Sequence, residues 1–403
     1  MDDGLYRVVG RIQNYAWGGP EFIPELLGLQ PEPHTAYAEY WLGAHQKAPS
    51  EIILEDNQTV RLDRFITDNP RRTLGQRVAL RFGRLPYLFK VLDVEKPLSI
   101  QVHPTKPEAE AGFERESELG IPLESPKRNY KDDNHKPELM VALGDFWLLH
   151  GFLPEVELFS VLRDVPEFHA LAAVFEHGGY AGLYSHVMKM AHESVAAILG
   201  PLAERIRRQG ETGGWKKSSA EYWVARIAAD GDTGQYDRGL FSIYFFNLVH
   251  LKAGQAIFQD AGIPHAYLEG QNVEVMANSD NVLRGGLTEK HVDVPELLRT
   301  VRFKGICPKA TEGTPGENPF EAHFESPTQD FHLSRIQLGK ADTYASSTHS
   351  IEIVLVMDGA ATMDSDRRHL SLRRGQSAVV FGETRYRIAA TSEGTVLYRV
   401  SVP

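Results

Sequence analysis

The chain has 403 residues, 42% hydrophobic and 24% charged, with a formal net charge of −11 at pH 7; that length holds two or three domains with complete cores. The acidic excess argues against nucleic acid or an anionic membrane as partner, although a local Lys/Arg cluster can attract a small anion because distant charge is screened over about 8–10 Å. No apolar run reaches the roughly 18 residues that span a bilayer, Met1-Asp2-Asp3 lacks a signal-peptide plan, and the single cysteine, Cys307, excludes an internal disulfide, so a cytoplasmic protein is expected.

Short alternating or apolar runs broken by Gly, Pro and Asn mark the first 150 residues as strand-rich, for example Tyr6–Ile12, Pro86–Leu92 and Pro97–His103. In the last of these, alternation points Ser99, Gln101 and His103 to one face and Ile100 and Val102 to the other. Glu138 opens another strand-like run that ends at Leu143. Around residue 151 the period changes to about 3.6. Ala191, Val195, Ile198, Leu199, Leu202 and Ile206 then form one helical stripe, and Ser218-x-x-Glu221 fits a capping box before a further amphipathic stretch. The span 151–235 therefore reads as a helical block. Its histidines His177, His186 and His192 share no convincing ligand face and read as surface residues. Strand signals return at Leu240 and run to Arg284, with His265 just past the strand Gln255–Phe258. A Pro/Gly/Glu-rich connector, Lys309–Pro319, leads to an all-β region with runs at Phe331–Leu338, Ile351–Met357, Gln376–Phe381, Tyr386–Ala389 and Thr395–Val400.

Four donors stand within or beside these apolar strands: Gln101, His103, Glu138 and His265. Two imidazoles, one carboxylate and a neutral amide suit a divalent transition metal, most simply zinc. Any one histidine on a strand is more simply explained by packing, but successive donors on one face of the Gln-x-His segment are not. The donors flank the helical block. If they meet at one ion, the helices are an insertion into a β-barrel whose two sequence halves close around the site. Gly254-x8-Ile263-Pro264-His265 and Gly375-x5-Phe381 share a Gly-then-strand plan, and the second copy has no histidine. A duplicated barrel whose second copy lacks metal is expected.

Five blocks carry a resemblance: Ala38 to His45, Pro97 to Pro104, His135-Lys136-Pro137-Glu138, Pro264-His265-Ala266-Tyr267, and Met276 to Thr288. In order and spacing they resemble type I mannose-6-phosphate isomerase, a zinc-dependent family of the cupin superfamily, from about Gln13 to Pro295. The resemblance implies a mainly β fold with a helical insertion: two cupin-type β-barrel (jelly-roll) domains plus an α-helical domain. Residues 1–150 and 236–300 would form the catalytic barrel, 151–235 the helical insertion, and 301–403 a cupin-like domain without metal. It further implies one zinc per chain on Gln101, His103, Glu138 and His265, and a catalytic Arg284. Lys136, Asp280 and Glu274 are further catalytic candidates, and Trp17, Lys90, Ser99, His135, Tyr267 and Lys290 are pocket positions.

The reaction implied is interconversion of mannose 6-phosphate and fructose 6-phosphate through a cis-enediol, by a monomer whose partner is a hexose phosphate. Arg284 stays protonated, so its expected role is electrostatic. The base remains open among Lys136, Asp280 and Glu274. Lys90 and Lys290 with Ser99 are the phosphate candidates. An iron(II) cupin oxygenase would use a similar triad, but Gln101 and the cations argue against it. A sugar-binding regulator would need a DNA-binding module, and none is visible.

Overall fold

The computed structural model describes residues 4–229 and 236–403. Its β structure forms sheets of nine, ten and four strands, and no hydrogen-bonded ring of described strands closes into a barrel. The nine-stranded sheet is the middle layer. In its strand Glu352–Asp358, Ile353, Leu355 and Met357 face one apolar core while Val354 and Val356 face another. The first core is shared with the ten-stranded sheet through Phe89, Val91, Leu139 and Val275. The second is shared with the four-stranded sheet through Tyr344, Met363 and Ile388. Burial on both faces explains why this strand is a continuous apolar run rather than an alternating one.

The middle sheet is assembled from both ends of the chain. Leu5–Val9 pairs with Ser377–Val380 on one side and with Glu51–Ile53 on the other. The expected strand Tyr6–Ile12 is therefore two strands in different sheets: Leu5–Val9 belongs to the middle sheet, and Arg11–Gln13 pairs with Glu39–Gly43 in the ten-stranded one. The break falls at Gly10, where a Cβ would lie 2.3 Å from the Trp41 carbonyl oxygen. Only glycine lets the chain cross at that distance.

Helices fill the interval between Phe146–Phe152 and Phe246–Leu251, two strands that pair with each other directly. The stripe read from Ala191 to Ile206 is the helix His192–Gly213, and Val195, Leu199, Leu202 and Ile206 are buried in the helical core. Two expectations differ from what is observed. The cap is Ser219, whose hydroxyl accepts from Tyr222 N–H at 3.4 Å, while Glu221 instead accepts from the Tyr244 hydroxyl. The strand expected from Leu240 begins only at Phe246, because Gly239–Phe245 is a helix buried on every side. An apolar run without a polar face carries no period that separates helix from strand. The helix Lys106–Glu118 was not anticipated, although Thr105 and Glu108 cap it reciprocally.

Candidate active site

The strand His265–Ala277 is the hub of the ten-stranded sheet. It bends at Gly270 (φ 126°), where a Cβ would meet the Asp145 carbonyl oxygen at 2.6 Å. Before the bend it pairs with Phe146–Phe152 and with Gln101; after it, with Tyr87–Val94 and Glu138–Ala142. Register then sets rows of side chains across the concave face. Leu88, Met276, Glu138 and Gln259 stand opposite one another, and Trp41, Lys90, Glu274 and Met140 form the next row.

These rows floor a cleft of about 340 Å³. It is lined by Trp17, Lys90, Ser99, Gln101, Lys136, Glu138, His265, Tyr267, Glu274, Asp280, Arg284 and Lys290. His103 lies immediately behind them, fully buried. Of the run Pro97–His103 only Gln101–Val102 is a regular strand, yet the expected alternation holds. Ile100 and Val102 are buried in the helical core while Ser99 and Gln101 face the cleft. His135 is the exception among the expected pocket residues. Successive residues of this extended segment point to opposite sides, so Lys136 and Glu138 enter the cleft and His135 turns away, its Nε2 2.8 Å from the Asp330 carboxylate. Glu39, Trp41, His45, Ser279 and Thr288 also line the cleft and were not anticipated. The alternation of Glu39 and Trp41 in the strand Glu39–Gly43 was a usable signal for two of them.

Among the described residues, His103, Glu138 and His265 form the one group of three acidic or imidazole donors that could hold a metal. His103 Nδ1 bonds the Asn281 carbonyl at 2.8 Å and His265 Nδ1 bonds the Ile263 carbonyl at 2.9 Å. A carbonyl only accepts, so each Nδ1 carries the proton and each Nε2 presents a lone pair. Both Nε2 atoms stand 3.4 Å from an oxygen of Glu138. Two imidazole lone pairs and a carboxylate facing one another repel unless a cation sits among them, and His103 Nε2 has no hydrogen-bond partner among the described residues. The separation matches the edge of a tetrahedron with metal–ligand bonds of about 2.1 Å, an edge of about 3.4 Å. Gln101 stands opposite both His265 and Arg284 in register and lines the same cleft. The residues fit zinc.

Charge around this group is arranged in pairs. Lys136 Nζ is 2.9 Å from Glu138 Oε1. Burial alone would raise the Glu138 carboxyl, but Lys136 is the largest of the groups that hold it well below the ordinary range. Lys90, 7% exposed, bridges Glu39 at 3.4 Å and Glu274 at 3.2 Å. Despite burial, Glu39, Glu274 and Glu138 keep its ammonium strongly protonated. Lys90 lines the cleft with its charge engaged by Glu39 and Glu274, which weighs against a role in holding phosphate. Burial, then Glu138, pushes the Glu274 carboxyl up, and the Tyr267 hydroxyl donates to it at 2.7 Å. Asp280 is the opposite case: burial is outweighed by His45 and Lys47, which hold it well below the usual carboxylate range. Arg284 and Lys290 face the cleft, and neither has a carboxylate partner among the described residues; burial lowers both, and Arg284 adds to the effect on Lys290.

Burial also pushes His103 and His150 down to about 4. A depressed folded-state value means the stabilising effect is complete above the unfolded value near 6.5 and is lost as pH falls towards 4. The metal-free protein should therefore lose up to about 3 kcal/mol per histidine across that window. Urea unfolding of zinc-free protein at pH 7 and pH 4.5 measures this. His150→Asn, which keeps a donor for Gln259, should show a shallower loss; an unchanged slope would remove His150 from the account.

Residues 5–155 match the family model for the phosphomannose isomerase type I catalytic domain. Mannose-6-phosphate isomerase of Salmonella typhimurium is 38% identical over 381 residues, covering 93% of this chain and 94% of that protein. The Homo sapiens enzyme of the same name is 34% identical over 397 residues, covering 90% of each chain. Among solved structures, mannose 6-phosphate isomerase from Salmonella typhimurium bound to fructose 6-phosphate and zinc superposes with a TM-score of 0.87 at 35% identity, covering 99% of each chain. Concordance of sequence over nearly the whole length, of fold and of a zinc-compatible donor group leads to one assignment: the chain belongs to the type I mannose-6-phosphate (phosphomannose) isomerase family.

Proposed function

We propose that this cleft interconverts mannose 6-phosphate and fructose 6-phosphate through a cis-enediol, with one zinc held by Gln101, His103, Glu138 and His265. The observation that carries the reading is the opening of the donor group onto a cleft with two cations, Arg284 and Lys290, that have no carboxylate partner among the described residues. When bound, zinc supplies Lewis acidity towards the oxygens of the open-chain sugar. Gln101 is neutral and Glu138 the only anion of the set, so the donors leave about one positive charge on the ion.

Arg284 remains charged through the cycle and stabilises the negative charge that grows on the sugar oxygens. Glu274 is the carboxylate suited to carrying the proton between C1 and C2, because burial raises it towards neutrality while Tyr267 fixes one of its oxygens. Asp280 stays ionised and suits orienting the sugar for ring opening by accepting a hydrogen bond from a hydroxyl. Lys136 holds Glu138 in place. Lys290, which is exposed, with Ser99 receives the phosphate, and Trp17 lines the same cleft. The ranges 1–150 with 236–300, 151–235 and 301–403 are read as catalytic, helical and C-terminal units, except that Leu5–Val9 and Glu51–Ile53 join the C-terminal strands in the middle sheet. The two β units are read as cupin-type jelly rolls, supported by the sandwich packing of the nine- and four-stranded sheets. The enzyme acts as a cytoplasmic monomer without nucleic acid, and no described helix is long and apolar enough to cross a membrane.

A coupled assay over several hexose phosphates, before and after chelation, tests the assignment. Mannose 6-phosphate should turn over, chelation should abolish turnover, and Zn²⁺ should restore it. Full turnover in verified metal-free protein, or none in zinc-loaded protein, would overturn it.

A further inference from the structure

We infer that Asp132 and Asn281 are positioning residues: a polar clasp between two loops that sets the orientation of His103 and the backbone course from Asp280 to Arg284. The inference rests on the metal reading of His103, Glu138 and His265. Neither residue lines the cleft.

The two segments it joins have no regular secondary structure, so side chains must replace the ladder bonds that a sheet would supply. One is the loop 131–134, which runs directly into Lys136 and Glu138. The other is 278–282, between the hub strand and Leu283–Arg284. Asn281 is fully buried. Its Oδ1 accepts from the backbone N–H of Lys131 at 2.7 Å and of Asp132 at 3.2 Å. Its Nδ2 donates to the carbonyls of Asp132 at 2.7 Å and Asn134 at 2.8 Å. Reversing the amide would set donors against donors and acceptors against acceptors, so this pattern admits one orientation. Asp132 answers from the other side. Its Oδ2 accepts from Asp280 N–H at 2.7 Å, and its Oδ1 accepts from the Ser279 hydroxyl at 2.8 Å and from Asn134 N–H at 2.9 Å.

The consequence reaches the site through one atom. The Asn281 carbonyl, whose residue is pinned by these bonds, accepts from His103 Nδ1 at 2.8 Å. That bond fixes the tautomer that leaves Nε2 aimed at Glu138. The same residue lies one position after Asp280 and three before Arg284. The clasp therefore couples three separated stretches of chain, each bearing a site residue. Partners of this kind behind a ligating histidine typically govern metal affinity by about 10–100-fold.

The test compares zinc affinity, read by competition with a chromophoric chelator, with urea stability of the metal-free protein. Asn281→Ala should weaken zinc binding about 10–100-fold. Ser279→Ala removes one hydroxyl, which bonds Asp132, the Asn134 carbonyl and the Asn281 N–H but leaves the Asn281 amide in place, and should fold and show a smaller weakening in the same direction. Glu116→Gln is the control: it disturbs a comparable buried cluster, where Glu116 accepts from Asn129 and Tyr130 away from the cleft. It should cost stability without changing zinc affinity. Wild-type zinc affinity in both clasp variants, or an equal loss in Glu116→Gln at matched stability, would overturn the inference. Zinc competition needs no turnover, so its outcome stands apart from whether mannose 6-phosphate is the substrate.

Discussion

Arg284→Ala should lower the turnover number by about 10²–10³, or roughly 3–4 kcal/mol, with bound zinc unchanged. Arg284 faces the cleft without a carboxylate partner among the described residues, so its charge can act on charge that grows towards the transition state. Glu138→Gln should fail for a different reason. It removes the only anion among the four donors, so metal occupancy falls first and activity follows. Excess Zn²⁺ should partly restore Glu138→Gln and leave Arg284→Ala unrestored. Zinc per chain measured beside initial rates separates the two. Near-normal turnover in Arg284→Ala, or its repair by added zinc, would remove the electrostatic role.

Lys90→Met should destabilise the fold by about 3–5 kcal/mol at pH 7, because it strands Glu39 and Glu274 as buried carboxylates without their shared cation. The deficit should shrink at pH 5. Glu274 is already raised by burial and by Glu138, and losing Lys90 removes a group that lowers it further, so it takes up a proton in the folded state as pH falls. Lys90→Met combined with Glu274→Gln should regain much of the stability and none of the turnover. Chemical denaturation of the three proteins at both pH values measures this; a single variant as stable as the parent at pH 7 would refute the buried-pair reading.

How much of this was legible beforehand depended on periodicity. The Ser99/Gln101/His103 face was readable because Ile100 and Val102 alternate with it, and that alternation survives although only two of the residues form a regular strand. The helix His192–Gly213 was readable from its stripe. Gly239–Phe245 was not, since it is buried all round and carries no period. The split at Gly10 was invisible for a different reason: a close crossing against Trp41 depends on the far end of the fold, and local pattern does not encode it. The same holds for the joining of Leu5–Val9 to Ser377–Val380. His135 is a pocket position only by the family resemblance; in the fold, alternation turns it away from Lys136 and Glu138 and towards Asp330. The roles of Glu39 and Asn281 lie in partners distant in sequence, which only the folded chain brings together.

The central claim is that one zinc, on donors drawn from both sides of the helical segment, makes this cleft an isomerase. Titrating metal-free protein with Zn²⁺ while following mannose 6-phosphate turnover tests it most directly. The rate should rise linearly and break at one zinc per chain. A full rate before any zinc is added, or no rate after one equivalent is bound, would contradict it.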